Sequence, residues 1–331
     1  MRGAPVRRRD RRPAAPALRG TGSTWLPPER ARSVEEMDPG QTAGEFLMSR
    51  RARLAPSDVG LAATTGRRRV PGLRRDEVAA LAGVSAEYYA RLERGAIGGA
   101  SDAVRDAVAV ALRLDEAEHQ HLQDLARSAS RPGRGGRGRR RPARVSPSLQ
   151  RVLAALGTAP GYVRDGRLEV VAANAVARAL HAPVYAFAAA TGAPVSLARF
   201  AFLSPDAASF YPDRDRVARS CVAALRGALG RDPEDRELVG LVHELASRSP
   251  WFTELWATHD VHLHRTGVKR LRHPDVGVLA LDFDVLHLAA EPDLTLVLYS
   301  AAPGTPAAAG LVLLAESVTA EQDHTAPPPG R

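Results

Sequence analysis

Residues 77–95 read EVAALAGVSAEYYARLERG and hold two short helical patterns around a Gly-Val-Ser break. Val78, Ala79, Leu81 and Ala82 are apolar at helical spacing. Gly83 fits the end of that helix, where a left-handed backbone costs glycine little. Ser85 is a strong N-cap for the next helix. Tyr89 and Leu92 lie three apart and can face back onto the first helix, which the small Ala79 lets approach closely. Gly95 can close the second helix. This is a helix-turn-helix layout; the alternative is an ordinary hairpin in an all-helical domain. In the first reading one helix braces against phosphates. The other turns Ala86, Glu87, Tyr88, Arg91 and Arg94 toward the major groove of double-stranded DNA.

The flanks extend this into a domain over residues 41–127. Gln41–Leu54 reads as a helix with Phe46 and Leu47 inward, followed by a long loop over 55–73 that carries Arg67, Arg68 and Arg69. Ser101 begins a helix with Val104, Val108 and Leu112 on one face. Asp115 caps a fifth, with Leu122 and Leu125 inward. Five short helices around one small core make an all-α domain.

Charge is unevenly placed. The net charge is +9, with nine arginines against four acids in residues 1–36, and eight arginines and no acid in 127–144. The rest of the chain is therefore net acidic, and the basic character sits in two polar segments. Residues 1–40 read as a disordered basic tail. Met37 reads as a natural start, the residues before it being an overrun; the other reading is a basic arm that touches DNA. Residues 128–144, SASRPGRGGRGRRRPAR from 128 on, form a Gly/Arg-rich linker. The 44% apolar content is ample for two cores. The single cysteine, Cys221, allows no intrachain disulfide and no cysteine-based zinc site; it reads as a buried helix residue. No run of 18 apolar residues and no secretory signal is seen, so a cytoplasmic, nucleoid-associated protein is expected, with no membrane partner.

Beyond the linker the pattern changes. Residues 145–320 hold most of the aromatic side chains. A helix is expected at 146–156. Asp165-Gly166, between two β-prone runs, signals a hairpin, and Asn174 can cap a helix through Leu180. Helices follow at 213–229, 234–247 and 250–258. Strands follow within 261–274, 277–288 and 294–301, where Leu279, Leu281 and Phe283 alternate, as do Leu294, Leu296 and Leu298. A last helix runs over 306–318, and 321–331 reads as a disordered tail. Helices in the middle of a strand set make an α+β domain.

Two stretches carry a resemblance. VPGLRRDEVAALAGVSAEYYARLERG (70–95) resembles the DNA-binding domain of actinobacterial Xre-type helix-turn-helix regulators, a lambda-repressor-like fold. GYVRDGRLEVVAANAVARAL (161–180) and LWATHDVHLHRTGVKRLRHPDVGVLALDF (255–283) resemble the MmyB-type ligand-binding domain that follows it in many of them. The resemblance covers about 41–302. It implies DNA binding as a homodimer, and a PAS-like second domain that holds a small apolar ligand. GAIGGAS (95–101) departs from relatives, which often carry a basic or proline-containing loop there, so no phosphate contact is assigned to 96–101.

Site residues follow from these readings. Arg91 can bridge a guanine edge, and Ala86 can meet a thymine methyl. Glu87 can accept from a cytosine amino group or pair with Arg91 four residues on. Phosphate contacts are expected from Arg67, Arg68, Arg69, Arg74, Arg75, Ser85, Tyr88 and Arg94. A ligand pocket needs an apolar lining and a few polar groups; Phe200, Trp251, Phe252 and Trp256 are nominated for the first, and His259, Arg164, Asn174 and Arg199 for the second. His259, His262, His264 and His273 find no acidic or cysteine partner in a recognisable ligand set, so no metal and no cofactor is expected. No nucleophile elbow, phosphate-cradling glycine loop or zinc-hydrolase motif occurs, so an enzyme is not expected. The competing function is a DNA-binding regulator whose second domain only dimerises or binds a protein. Operator, effector and the sense of regulation are not written in the sequence.

Overall fold

A computed structural model describes residues 39–61, 72–130, 145–258 and 266–325. Arg67, Arg68, Arg69, His259, His262 and His264 lie outside these residues, as do 1–38, 131–144 and 326–331.

The first part of the chain is helical: α1 (Pro39–Arg53), α2 (Arg75–Leu81), α3 (Ala86–Glu93), α4 (Asp102–Ala111) and α5 (Glu116–Ala129). The caps explain the boundaries. Ser85, Ser101 and Asp115 each accept a hydrogen bond from the backbone N–H three residues on, filling donors that a helix start leaves open. Gly83, at φ +66°, takes the left-handed conformation that ends α2. Phe46, Leu47, Val78, Tyr89, Leu92, Val108, Leu122 and Leu125 make one core. Two expectations move at the edges. Pro39 and Gly40 belong to α1 rather than to the tail, proline being well suited to a first helical position. α5 runs through Ala129, because Ser128 and Ser130 both find carbonyl acceptors, so the expected linker does not begin at 128.

Helix α1 crosses α3 at Gly44. A Cβ placed there would lie 2.1 Å from the Glu93 carbonyl oxygen. Glu93 is itself buried, and its carboxylate accepts from Arg51 Nε at 2.6 Å and from Arg75 Nε at 2.5 Å. One buried acid therefore joins α1, α2 and α3, and the arginines supply the pairing that a buried charge requires.

The second part adds helices to an antiparallel sheet: α6 (Pro147–Ala155), β1 (Gly161–Arg164), β2 (Val170–Ala173), α7 (Ala175–Leu180), α8 (Ala182–Thr191), α9 (Leu197–Leu203), α10 (Ala207–Phe210), α11 (Arg214–Arg231), α12 (Arg236–Arg248), α13 (Pro250–Ala257), β3 (Thr266–His273), β4 (Gly277–His287), β5 (Thr295–Ser300) and α14 (Pro306–Thr325). The strand order is β2-β1-β5-β4-β3. The Asp165-Gly166 hairpin forms with a wider loop than two residues. Asp165 is buried, and its carboxylate accepts from the Arg167 and Glu169 backbones and from Arg167 Nε. Helices α8 to α10 had no periodic signature, since 182–210 is apolar nearly all round. α14 continues to Thr325, seven residues past the expected end.

The sheet has two apolar faces. One packs on α7, α9, α11 and α14 in the main core. The other, over β2, β1 and β5, lies under α6. His181 is buried in the main core with its ring 5.3 Å from Tyr162 and 5.7 Å from Tyr299, and burial pushes its pKa down to about 3.

Two stability outcomes follow. Gly44→Ala should cost at least about 1–3 kcal/mol by overpacking the α1–α3 crossing. Gly240→Ala, where an added Cβ meets nothing, should stabilise α12 by up to about 1 kcal/mol; urea melts of both variants check the contrast. Because the folded pKa of His181 lies below its unfolded value of 6.5, the unfolded chain binds the extra proton between those pH values. Its contribution to stability is full above about pH 6.5 and falls by at most about 1.4 kcal/mol per pH unit on acidification toward pH 3. His181→Leu should flatten that slope in melts at pH 7 and pH 5.

Candidate functional site

Two features of local structure build a cavity between helix α11 and the inner face of the sheet. On α11 and its N-cap, Asp213, Arg216, Val217, Ser220, Cys221 and Ala224 recur at three- and four-residue spacing and so share one face. On the strands the two-residue period brings Tyr162 and Arg164 of β1, Phe283 and Val285 of β4, and Val297 and Tyr299 of β5 to the opposing wall. Leu168, Leu197, Tyr211, Val268, Lys269 and Arg270 complete the lining of the cavity, which spans about 850 Å³ counting its solvent-open mouth.

The lining is mostly apolar, and its charged groups are mainly positive. The Tyr162 and Tyr299 rings lie 6.2 Å apart centre to centre, and burial pushes both phenols up, Tyr299 to about 12. Burial likewise raises Tyr211 and the Cys221 thiol. These groups are therefore neutral near pH 7. The formal charges are those of Arg164, Arg216, Lys269 and Arg270 against Asp213. Asp213 sits 3.6 Å from Arg270, and the Lys269 ammonium lies 5.3 Å from the centre of the Tyr211 ring. Buried Arg164 Nε has no hydrogen-bond partner among the described residues. A donor left open against an apolar chamber is a place where an acceptor on a ligand gains most.

Of the residues nominated from sequence for a pocket, the structure brings Arg164 to this cavity. The other described nominees hold the fold together. Phe200 and Phe252 are fully buried in the core. Trp251 lies under the Arg214 guanidinium at 4.4 Å and Trp256 under that of Arg226 at 4.3 Å. Asn174 caps α7 through Ala177 N and donates to the Ala159 carbonyl. Arg199 pairs with Glu169 at 2.8 Å and with Glu244 at 2.9 Å. His259 is outside the described residues. The residues that sequence reasoning missed are Tyr162, Tyr211, Cys221, Arg216, Lys269 and Tyr299. The 213–224 stripe was a usable signal. The strand residues had none beyond the alternation that any half-buried strand shows.

On α3 the geometry leaves the nominated face open. Ala86, Glu87, Arg91 and Arg94 are exposed and Tyr88 is half-buried. The Arg91 guanidinium stacks 4.9 Å over the Tyr88 ring rather than pairing with Glu87. Ser85 spends an oxygen lone pair on the Tyr88 N–H. Arg74 is exposed, whereas Arg75 is tied to Glu93, which holds its head group near α3. Among the described residues no group of His, Cys, Asp or Glu is placed to hold a metal, and no helix is long and apolar enough to cross a membrane.

The two regions meet through α5 and α11. Ser128 Oγ donates to the Gly230 carbonyl at 2.7 Å, and Arg231 lies 4.0 Å from Asp124. Gly230 sits against His121, where an added Cβ would come within 2.9 Å of the ring. The other edge of His121 meets Phe46 of α1, ring centres 5.1 Å apart.

An apolar cavity with a solvent-open mouth thus lies between the sheet and α11, in a domain joined to a helical region. Residues 145–314, just over half of the chain, match the MmyB-like transcription regulator ligand binding domain. The chain belongs to that family, which is a family of regulatory ligand-binding domains and not of enzymes. No curated protein matches the chain.

Cys221, the single thiol, gives a direct check on the cavity. Buried and raised in pKa, it should react with a small alkylating reagent at pH 8 at least about tenfold more slowly than in urea, since the thiolate is the nucleophile. A ligand that fills the cavity should slow native labelling further, read by mass spectrometry.

Proposed function

We propose that this protein is a sequence-specific, dimeric DNA-binding transcription regulator whose affinity for DNA is set by a small, mostly apolar ligand. The helices α2 and α3 act as a helix-turn-helix, with α3 as the reading helix. Arg91 reads a base edge, Ala86 and Glu87 flank it, and Arg74, Tyr88 and Arg94 hold phosphates. The five-helix region corresponds to an Xre-type, lambda-repressor-like domain, and the sheet domain to a PAS-like one. Cytoplasmic, nucleoid-associated placement follows from DNA as the partner.

The observation that carries this reading is that α11 serves both regions. Its first half walls the cavity, and its last turn holds α5 through Gly230. A packed route then runs from α5 by way of His121 to Phe46 on α1, and from Gly44 on α1 to α3. A ligand shifts DNA affinity only if it favours one arrangement over another, and docking of α5 on α11 is an element that cavity occupancy can bias. Spatial continuity supports this route; coupling is established only by measurement.

The lining supports a ligand with an apolar body and one acidic group. The body fills the space among Tyr162, Val217, Phe283 and Tyr299, and the acid meets Arg164, with Arg216 and Lys269 nearby. In thermal melts a medium-chain carboxylate should raise the melting temperature more than the alcohol of equal length, and Arg164→Met should remove the difference. Equal shifts for acid and alcohol would refute the assignment of an acidic group.

DNA reading is tested by selection from random duplexes. Arg91→Ala should relax preference at one position per half-site, a loss of about 1–3 kcal/mol of discrimination. Arg94→Ala should weaken binding to all sequences alike and lower the salt slope. Gly230→Leu should keep half-site preference and abolish the response to ligand. A chain that selects no sequence at all would overturn the regulator reading.

A further inference from the structure

Strand alternation puts Thr266, Val268, Arg270 and Arg272 of β3, and Val278, Ala280, Asp282 and Asp284 of β4, on the sheet face opposite the one that meets α11, although at the β3 edge Val268 and Arg270 also reach the cavity mouth. All eight are exposed. On the β2-β1-β5 half of this face α6 lies over the sheet, with Leu149, Leu153 and Leu156 against Val163, Leu296 and Leu298. The β4–β3 half has no such cover among the described residues. It carries three of the eight exposed large hydrophobics, Val268 and Val278 at 47% and Leu286 at 43%.

The charges on this half are sorted by end. Arg270 and Arg272 lie toward the β3–β4 turn, and Asp282 and Asp284 toward the other end. The register places each across from an uncharged residue: Arg272 faces Val278, Arg270 faces Ala280, Asp282 faces Val268 and Asp284 faces Thr266. Arg270 reaches Asp213 at the strand edge. Arg272, Asp282 and Asp284 form no ion pair among the described residues. The face is therefore positive at one end, negative at the other and apolar between.

Such a face is complementary to itself. A two-fold axis lying across the strands lays the arginine end of one copy over the aspartate end of the next, twice in each dimer, as an isologous contact requires. The two charge centres lie about 13 Å apart along the strands and about 5 Å across them. Exchanging them crosses the strands at roughly 40°, close to the roughly 30° at which packed sheets align. Pairing through the β3 edge is disfavoured, because Lys269, Arg270 and Arg272 would meet their own copies.

We propose that the uncovered β3–β4 face is the surface on which a second copy of this chain docks, sheet against sheet. This rests on the reading of the protein as a dimeric regulator and names the surface that makes the dimer. The paired part of the two strands, about 26 Å long and about 10 Å across, gives a patch of roughly 260 Å² per copy, smaller than a standard interface, so dimerisation without DNA is weak and concentration-dependent.

The test is sedimentation of the full chain over a concentration series, with no DNA present. Arg272→Glu and Asp284→Arg should each raise the dimer dissociation constant by at least about tenfold, because like charges then meet twice across the axis. An equimolar mixture of the two variants, or the doubly changed chain, should return close to the starting value, since every altered charge again meets its opposite. Unchanged melting of the single variants at low concentration shows that the fold is intact. A chain that is monomeric throughout, single variants that associate like the original, or a mixture that stays dissociated would each overturn the proposal. Half-site selection, run beside it, reports on DNA reading alone. Its failure with dimerisation intact sinks the regulator reading, and the converse sinks only this surface.

Discussion

Helix α11 has to satisfy two cores at once. Eighteen residues long, it lays one face against the sheet with a gap that becomes the cavity, and it ends in Gly230 and Arg231 against α5. The gap and the dock are set by residue size. Ala224 and Cys221 are small enough to leave space beneath the helix, and Gly230 is small enough to admit His121. A packed helix that touches both the cavity and a neighbouring region ties the two together in space, and packed cores hold discrete arrangements instead of deforming smoothly.

A second constraint works within the first helical region. Glu93 stands at the end of α3, buried, and draws Arg51 and Arg75 to it. Removing one partner from such a cluster is costly, since the remaining charge stays buried. The backbone of the same residue is what Gly44 packs against. The position of α3 is thus fixed by charge and by contact at one point, while its outer face is left for other uses. The stacking of Arg91 on Tyr88 preorganises that side chain in the free protein.

The cavity separates roles that aromatic residues otherwise share. Trp251 and Trp256 are capped by arginines and pack as structure. Tyr162, Tyr211 and Tyr299 present rings to the chamber with their phenols held neutral by burial. Arg164, Arg216, Lys269 and Arg270 stand at the same wall with Asp213, so the field there is mainly positive.

The sequence by itself determined the elements whose signals are local. Ser85, Ser101, Asp115, Asn174 and Asp235 cap helices because a short oxygen side chain meets the N–H groups next to it in the chain. Gly83 ends a helix through its own backbone freedom, and the alternation in β4 and β5 marks their buried faces. It also carried enough pattern to signal the ligand-binding family over residues 145–314. It left α8 to α10 unread, because a segment apolar on every side has no period. Only the tertiary structure decided which aromatic residues are core and which line a chamber. Phe200 and Tyr299 are both nearly fully buried, and the difference lies in whether the space beside the ring is filled by a residue distant in the chain. It also decided that α5 docks on α11, since that contact joins Ser128 to Gly230, about a hundred positions away, and no local pattern encodes a partner at that distance.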